Sequence, residues 1–208
     1  MNSSNWLTDA ELEALGLGSL GMGVSIDRSV LIVGANNVTV GSHSRIDSGV
    51  KILASTGKVD IGKHVHVASD SVIQGAGNVS LGDFSGLSYG VRVLSSSDDF
   101  LFGNLTNPTV PDELRRVLAS PIIIEKHGIV GANSVILPGV KIGIGGAIGA
   151  LTHVSRSVLP GEIVQGSVKN RIGFRNLDKL KKLESDFRSS CTCMLDWGDA
   201  KDSMDINL

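Results

Sequence analysis

Aromatic residues are scarce in this 208-residue chain: two Trp, one Tyr and five Phe make up 4% of it. Its core must therefore be built from Ile, Val and Leu. Cysteine is nearly absent. Cys191 and Cys193 stand two apart near the tail, where they could hardly staple a fold, and no second Cys or His pair stands nearby to complete a zinc site. The expectation is reduced thiols in a cytoplasmic protein, with no metal. Neither sign of charge dominates. A net charge of -2 gives no global field for nucleic acid or an anionic membrane, so any anion must be held by a local cluster. No stretch reaches the ~20 apolar residues of a membrane span. Met1–Gly23 also lacks the basic and apolar regions of a secretory signal. The length suits one domain with a sizeable core.

What is plentiful is glycine, at 26 residues, and it comes with a period. An aliphatic residue returns every sixth position at Ile124, Val130, Ile136, Ile142, Ile148 and Val154. Gly131, Gly143 and Gly149 each follow one of them, and the fourth position after each is small or aliphatic: Gly128, Ser134, Val140, Gly146, Thr152 and Val158. A period of six fits neither an α-helix nor one long strand. It fits a solenoid in which each hexad is a short strand and a turn, with the aliphatic residue pointing to a shared axis. The pattern resembles that of the hexapeptide-repeat acyltransferases, which implies an all-β, left-handed parallel β-helix with three hexads per triangular coil.

The repeat also covers Ile26, Ile32, Val40, Ile46, Ile52, Ile61, Val67, Ile73, Leu81, Leu87 and Val93, with spacings of eight and nine among the sixes. The extra residues fall in Gly34–Asn37, Ser55–Lys58 and Gly75–Asn78, about once per coil, and read as longer turns at one corner. Between 95 and 121 the period vanishes, and three of the five prolines (Pro108, Pro111, Pro121) stand there. A loop of this length is expected to be functional, ordered and packed on a neighbour. Thr8 to Gly16 reads as a short helix with a capping box from Thr8 to Glu11, covering the open edge of the first coil. Arg175 to Phe187 reads as a second helix, with Leu177, Leu180 and Leu183 on one side. The expected organisation is a capping segment over 1–23, a β-helix over 24–165 with the inserted loop, a C-terminal helical cap over 166–190, and a flexible tail over 191–208.

Three phrases narrow the resemblance: Asp98-Asp99-Phe100 with Gly103-Asn104, Asn107-Pro108-Thr109-Val110-Pro111, and Ile124-Glu125-Lys126-His127. They are similar to those of short nucleotide-sugar 3-N-acetyltransferases and of related sugar O-acetyltransferases of surface-polysaccharide (lipopolysaccharide) synthesis. The resemblance implies a homotrimer, acetyl-CoA as donor, and active sites between subunits, with a sugar or nucleotide sugar as acceptor. Ala132, Ala150, Ser155 and Arg156 match CoA-binding positions of that family.

The residues themselves support parts of this reading. Gly131-Ala132 and Gly149-Ala150 lie 18 residues apart, so they stack at one corner and offer backbone amides without bulky side chains. Arg156, Lys169 and Arg171, within a basic C-terminal cluster, suit the phosphates of CoA. The family's terminal phrase is altered, however: Gly166-Ser167-Val168-Lys169-Asn170-Arg171 has valine for proline and asparagine for the basic residue. The loop carries no histidine, unlike that of the O-acetyltransferases. Asp98 stands near that place, and a carboxylate suits orienting an amine better than activating a hydroxyl. The expected catalytic residues are Asp98 and His127, with Asp99, Asn104 and Asn107 on the acceptor. By default His43, His64, His66 and His153 are turn or surface residues. Two other readings stand beside this one: a hydroxyl acceptor such as a galactoside, and, outside acyl transfer, a carbonic-anhydrase-like metalloenzyme or a scaffold.

Overall fold

The computed structural model describes residues 5–99 and 102–190, with backbone alone over 167–170. The cysteines, the expected tail, Phe100 and Leu101 lie outside the described residues. Short parallel strands stack into three faces. The first comprises Ser19–Leu20, Val38–Val40, Val59–Ile61, Val79–Leu81, Ile122–Ile124 and Lys141–Ile142. The second comprises Ser25–Ile26, Arg45–Ile46, His66–Val67, Gly86–Leu87, Ile129–Val130, Ala147–Ile148 and Glu162–Gln165. The third comprises Leu31–Val33, Lys51–Leu53, Val72–Gln74, Arg92–Leu94, Val135–Ile136 and His153–Val154. The fold is the expected left-handed parallel β-helix.

Register follows the aliphatic series. Ile26 faces Ile46 and Ile46 faces Val67; later in the same column Leu87 faces Val130 and Val130 faces Ile148. From Val40 to Val154 every aliphatic residue of the series is at most 3% exposed. Ile32 is only half-buried, because no coil stacks beneath the first. The fourth positions from Gly128 to Val158 are buried as well, so a hexad contributes a second side chain to the axis wherever that position is not glycine. Where the second is polar it is satisfied at most positions, Ser85 being the exception. Ser44, Ser134 and Thr152 donate their hydroxyls to backbone carbonyls at 2.7–2.9 Å.

The longer turns Gly34–Asn37, Ser55–Lys58 and Gly75–Asn78 all follow third-face strands, and the excursion from Ser95 leaves from the same corner. The long loop is thus the largest member of a file of enlarged turns. Asn37 and Asn78 tie two of these turns to neighbouring coils, through the Ala54 carbonyl and the Lys58 N–H.

The first coil is covered as the capping box implied. Thr8 and Glu11 form it around the helix Asp9–Ala14, Leu12 enters the core, and Arg28 pairs with Glu11. The bonds from Arg28 and Thr8 hold the Glu11 carboxyl down at about 2. Ahead of the helix, Trp6 bridges Asp27 antiparallel, so backbone there covers the second-face edge.

At the other end the segment 166–190, expected as a helical cap, divides. Ser167–Phe174 is a strand that turns back antiparallel on Glu162–Gln165 and lies parallel beside His153, so it ends the solenoid by joining two faces. A bare edge of paired strands recruits backbone, and sequence periodicity carries no sign of that. The second helix, Leu177–Ser190, belongs to a separate compact unit that begins at Asn176. It buries none of its residues, and Glu184 pairs with Arg188 one turn on. Among the described residues no helix is long and apolar enough to cross a membrane.

The strand Ile122–Ile124 gives a direct test of this architecture, since Ile122 and Ile124 are fully buried and Ile123 is 38% exposed. Ile124→Ala should lower unfolding stability by ~2–5 kcal/mol, and Ile123→Ala by less than about 1 kcal/mol. Denaturant titration of both variants checks this; equal losses would contradict the inward–outward alternation.

Candidate active site

The inserted loop is built on its own two-stranded base, Ser96–Asp98 antiparallel to Val117–Ala119. Two adjacent carboxylates shape what lies above it. Asp99 is only 2% exposed; it accepts from the Phe102 N–H at 3.0 Å and from Asn104 Nδ2 at 2.6 Å. Asp98, half-buried, accepts from the Asn107 N–H at 3.1 Å. Asn107 adopts a left-handed φ of 70° and bonds its side chain to Thr109 N–H, an Asx turn ahead of the Pro111 segment. Arg116 lies over the Phe102 ring at 5.2 Å. The four loop residues expected to act together therefore do share one small region, with Asn104 and Asn107 exposed.

Gly131-Ala132 and Gly149-Ala150 stack in successive coils at the corner between the second and third faces, and the Leu151 N–H donates to the Ala132 carbonyl at 2.8 Å. Coil packing alone demands glycine at 131, because a Cβ there would stand 2.5 Å from the Ala150 nitrogen. Close packing of coils and access to backbone amides thus coincide. Ser155 and Arg156 follow strand His153–Val154 and are exposed. Arg171 leans over the Phe174 ring at 5.1 Å. Lys169 has only its backbone described.

His127 occupies the corner between the first and second faces, and there it is one of a column of rings. His43, His64, Phe84 and His127 stack with centroids 5.0, 4.9 and 5.3 Å apart. All four hold φ between 54° and 60°. A left-handed φ costs a residue with a Cβ roughly 1–2 kcal/mol, and each ring pair returns ~0.5–1.5 kcal/mol. The column thus offsets much of the strain of its own turns. Arg175, expected to open the second helix, lies ahead of it instead, half-buried, and donates to the carbonyls of His127 and Gly145. Burial pulls its pKa down. His66 lies apart from the column and pairs with Asp47 at 2.8 Å, so His64 and His66 do not converge as a metal pair. Burial raises the Asp47 carboxyl, but the bonds from His66 and Arg45 hold it below its ordinary value.

One chain thus sets the named residues at its three corners. The loop and His127 lie at opposite ends of Ile122–Ile124, and the stacked Gly-Ala pairs lie across the third face from the loop. Reading along that face also reveals Ser88-Tyr89, which follow Leu87 as Gly131-Ala132 follow Val130. The signal was available in the repeat: the same register, carried one coil back.

Architecture and site define a hexapeptide-repeat solenoid with a long loop at one corner, the plan of an acyltransferase. No protein-family model matches the chain. It is 32% identical over 186 residues to the dTDP-4-amino-4,6-dideoxy-D-glucose acyltransferase of Escherichia coli, an alignment covering 89% of this chain and 96% of that one. Among solved structures it resembles AntD, an N-acyltransferase from Bacillus cereus captured with dTDP-4-amino-4,6-dideoxyglucose and coenzyme A. There the TM-score is 0.86 at 30% identity, over 91% of this chain and 100% of that one. A hexapeptide-repeat acetyltransferase from Vibrio cholerae shares the fold, with a TM-score of 0.52 at 22% identity over 85% and 84% of the two chains. The chain belongs to the dTDP-4-amino-4,6-dideoxy-D-glucose acyltransferase family, and it is an acyltransferase.

Asp99 makes the loop's shape testable. Asp99→Ala should speed proteolytic cleavage within 100–115 several-fold while shifting the solenoid's thermal midpoint little. Limited proteolysis with mass spectrometry reads the first and calorimetry the second; unchanged cleavage would show that the loop is held by other means.

Proposed function

We propose that this protein transfers an acetyl group from acetyl-CoA to the amino group of a dTDP-linked amino sugar, as a step toward a surface polysaccharide. The observation that carries this reading is likeness along nearly the whole chain to an enzyme captured with such a sugar and coenzyme A. The attacking amine nitrogen forms the new C–N bond as the C–S bond breaks, and the thiol leaves. The amine must lose a proton on the way, which suits a carboxylate that orients it. We assign that part to Asp98, with Asn104 and Asn107 on the acceptor and Asp99 fixing Asn104. Structures of AntD include substitutions at a serine and at an aspartate ten residues apart. Ser88 and Asp98 stand at that separation here, which supports the choice of Asp98. Gly131, Ala132, Gly149 and Ala150 take the pantetheine arm through their backbone, with Ser155, Arg156, Lys169 and Arg171 toward the phosphates. His127 assists proton removal across a subunit boundary.

The three-corner distribution supports a homotrimer, since a neighbour can bring His127 of one chain to the loop of another. Acetyl-CoA and nucleotide sugars are cytosolic metabolites, so the reaction belongs in the cytoplasm.

Thiol release from acetyl-CoA with a panel of dTDP-amino sugars, nucleotide-free glycosides and galactosides tests the reading. Turnover should require the nucleotide-linked amine, and turnover only with a hydroxyl acceptor would overturn it. Asp98→Asn should lower kcat by ~10²-fold or more. Light scattering should give three times 21.7 kDa, and a monomer that turns over would dismiss the shared site.

A further inference from the structure

The corner between the second and third faces carries an exposed ring that the proposed reaction does not yet use. Successive coils place Ser48, Ser69, Tyr89, Ala132 and Ala150 in one file. The register is fixed by bonds from the N–H of Asp70, Gly90, Asn133 and Leu151 to the carbonyls of Ser48, Ser69, Tyr89 and Ala132. From Ser48 to Ala150 every other member of the file is small, and Arg28, one coil below, is drawn aside to Glu11. Tyr89, the chain's only tyrosine, is 64% exposed at a turn position where neighbouring coils leave space. Tyr89 is thus a large, rigid side chain within a run of small ones, where anything lying along the file must meet it.

We infer that Tyr89 closes the acyl end of the thioester groove and restricts the donor to a short acyl group. The inference rests on the acyltransferase reading above. In that reading the pantetheine arm descends past Ala150 and Ala132, and the next coil down, about 4.8 Å below, is the coil of Ser88 and Tyr89. The thioester carbonyl then lies beside Ser88, and the carbons beyond it run into the Tyr89 ring. An acetyl methyl stops short of the ring. Each further methylene must displace the ring or leave the groove. The scaffold itself imposes no such limit, since AntD was captured with 3-hydroxybutyryl-CoA. The restriction is assigned to this local side chain and not to the coil.

The test compares the full-length wild type, Tyr89→Ala and Tyr89→Phe with acetyl-, butyryl- and hexanoyl-CoA at a saturating dTDP-amino sugar, reading kcat/KM by thiol release. The wild type should favour acetyl over butyryl. Tyr89→Ala should raise the butyryl-to-acetyl ratio about tenfold or more, the discrimination one or two methylenes bring in a shaped pocket. Tyr89→Phe, which keeps the bulk, should hold the wild-type ratio. An unchanged ratio in Tyr89→Ala, or a wild type that uses butyryl as readily as acetyl, overturns the inference and leaves the acyltransferase reading intact. An equal loss for all three donors overturns it too, by making Tyr89 a general binding residue. A wild type that releases thiol from none of the donors removes the reading beneath.

Discussion

Each coil of this protein must close one strand spacing above the last, with its aliphatic side chains turned to a common axis. The parallel ladders enforce that spacing, and the narrow axis admits only Ile, Val, Leu and small residues. Chain length can therefore vary only where the backbone leaves the faces. Eight- and nine-residue intervals are absorbed as turns, and even the excursion from Ser95 begins and ends on one coil, where the Ser120 N–H returns to the Ser95 carbonyl. The residues proposed to act stand mostly at the corners, where the backbone leaves the paired strands.

The corners differ in what they do. One stacks rings over left-handed turns and is tied off by Arg175. One carries a run of small side chains from Ser48 to Ala150, broken by Tyr89, with Leu151 exposed just beyond. The last holds turns of four or five residues and, beyond Ser95, the loop of Asp98 and Asp99. A single prism cannot turn three corners toward one substrate, which is why the proposed site is one shared between copies.

Much of this could be read along the chain. The sixfold series named the buried residues from Val40 to Val154 and placed Gly131-Ala132 under Gly149-Ala150, because a solenoid's contacts repeat at a fixed sequence distance. The capping box at Thr8 and Glu11 was legible for the opposite reason, being wholly local. Tyr89 was within reach of the same register but escaped notice, since a lone tyrosine in a turn has no local signature. The ring column was harder: His127 and Phe84 are 43 positions apart with the loop between them, and they become neighbours only once Ile124 is set beside Leu81.

The sequence by itself determined the coil, its axis and the corner at which it could be lengthened, because those depend on side-chain volume and period alone. Only the tertiary structure decided that Asp99 is turned inward to hold Asn104, that Arg175 is spent on carbonyls, and that Ser167–Phe174 is a strand. In each case the outcome turned on which unpaired backbone or polar group was left within reach after the coils had stacked. That remainder is a sum over distant residues, which no periodicity records.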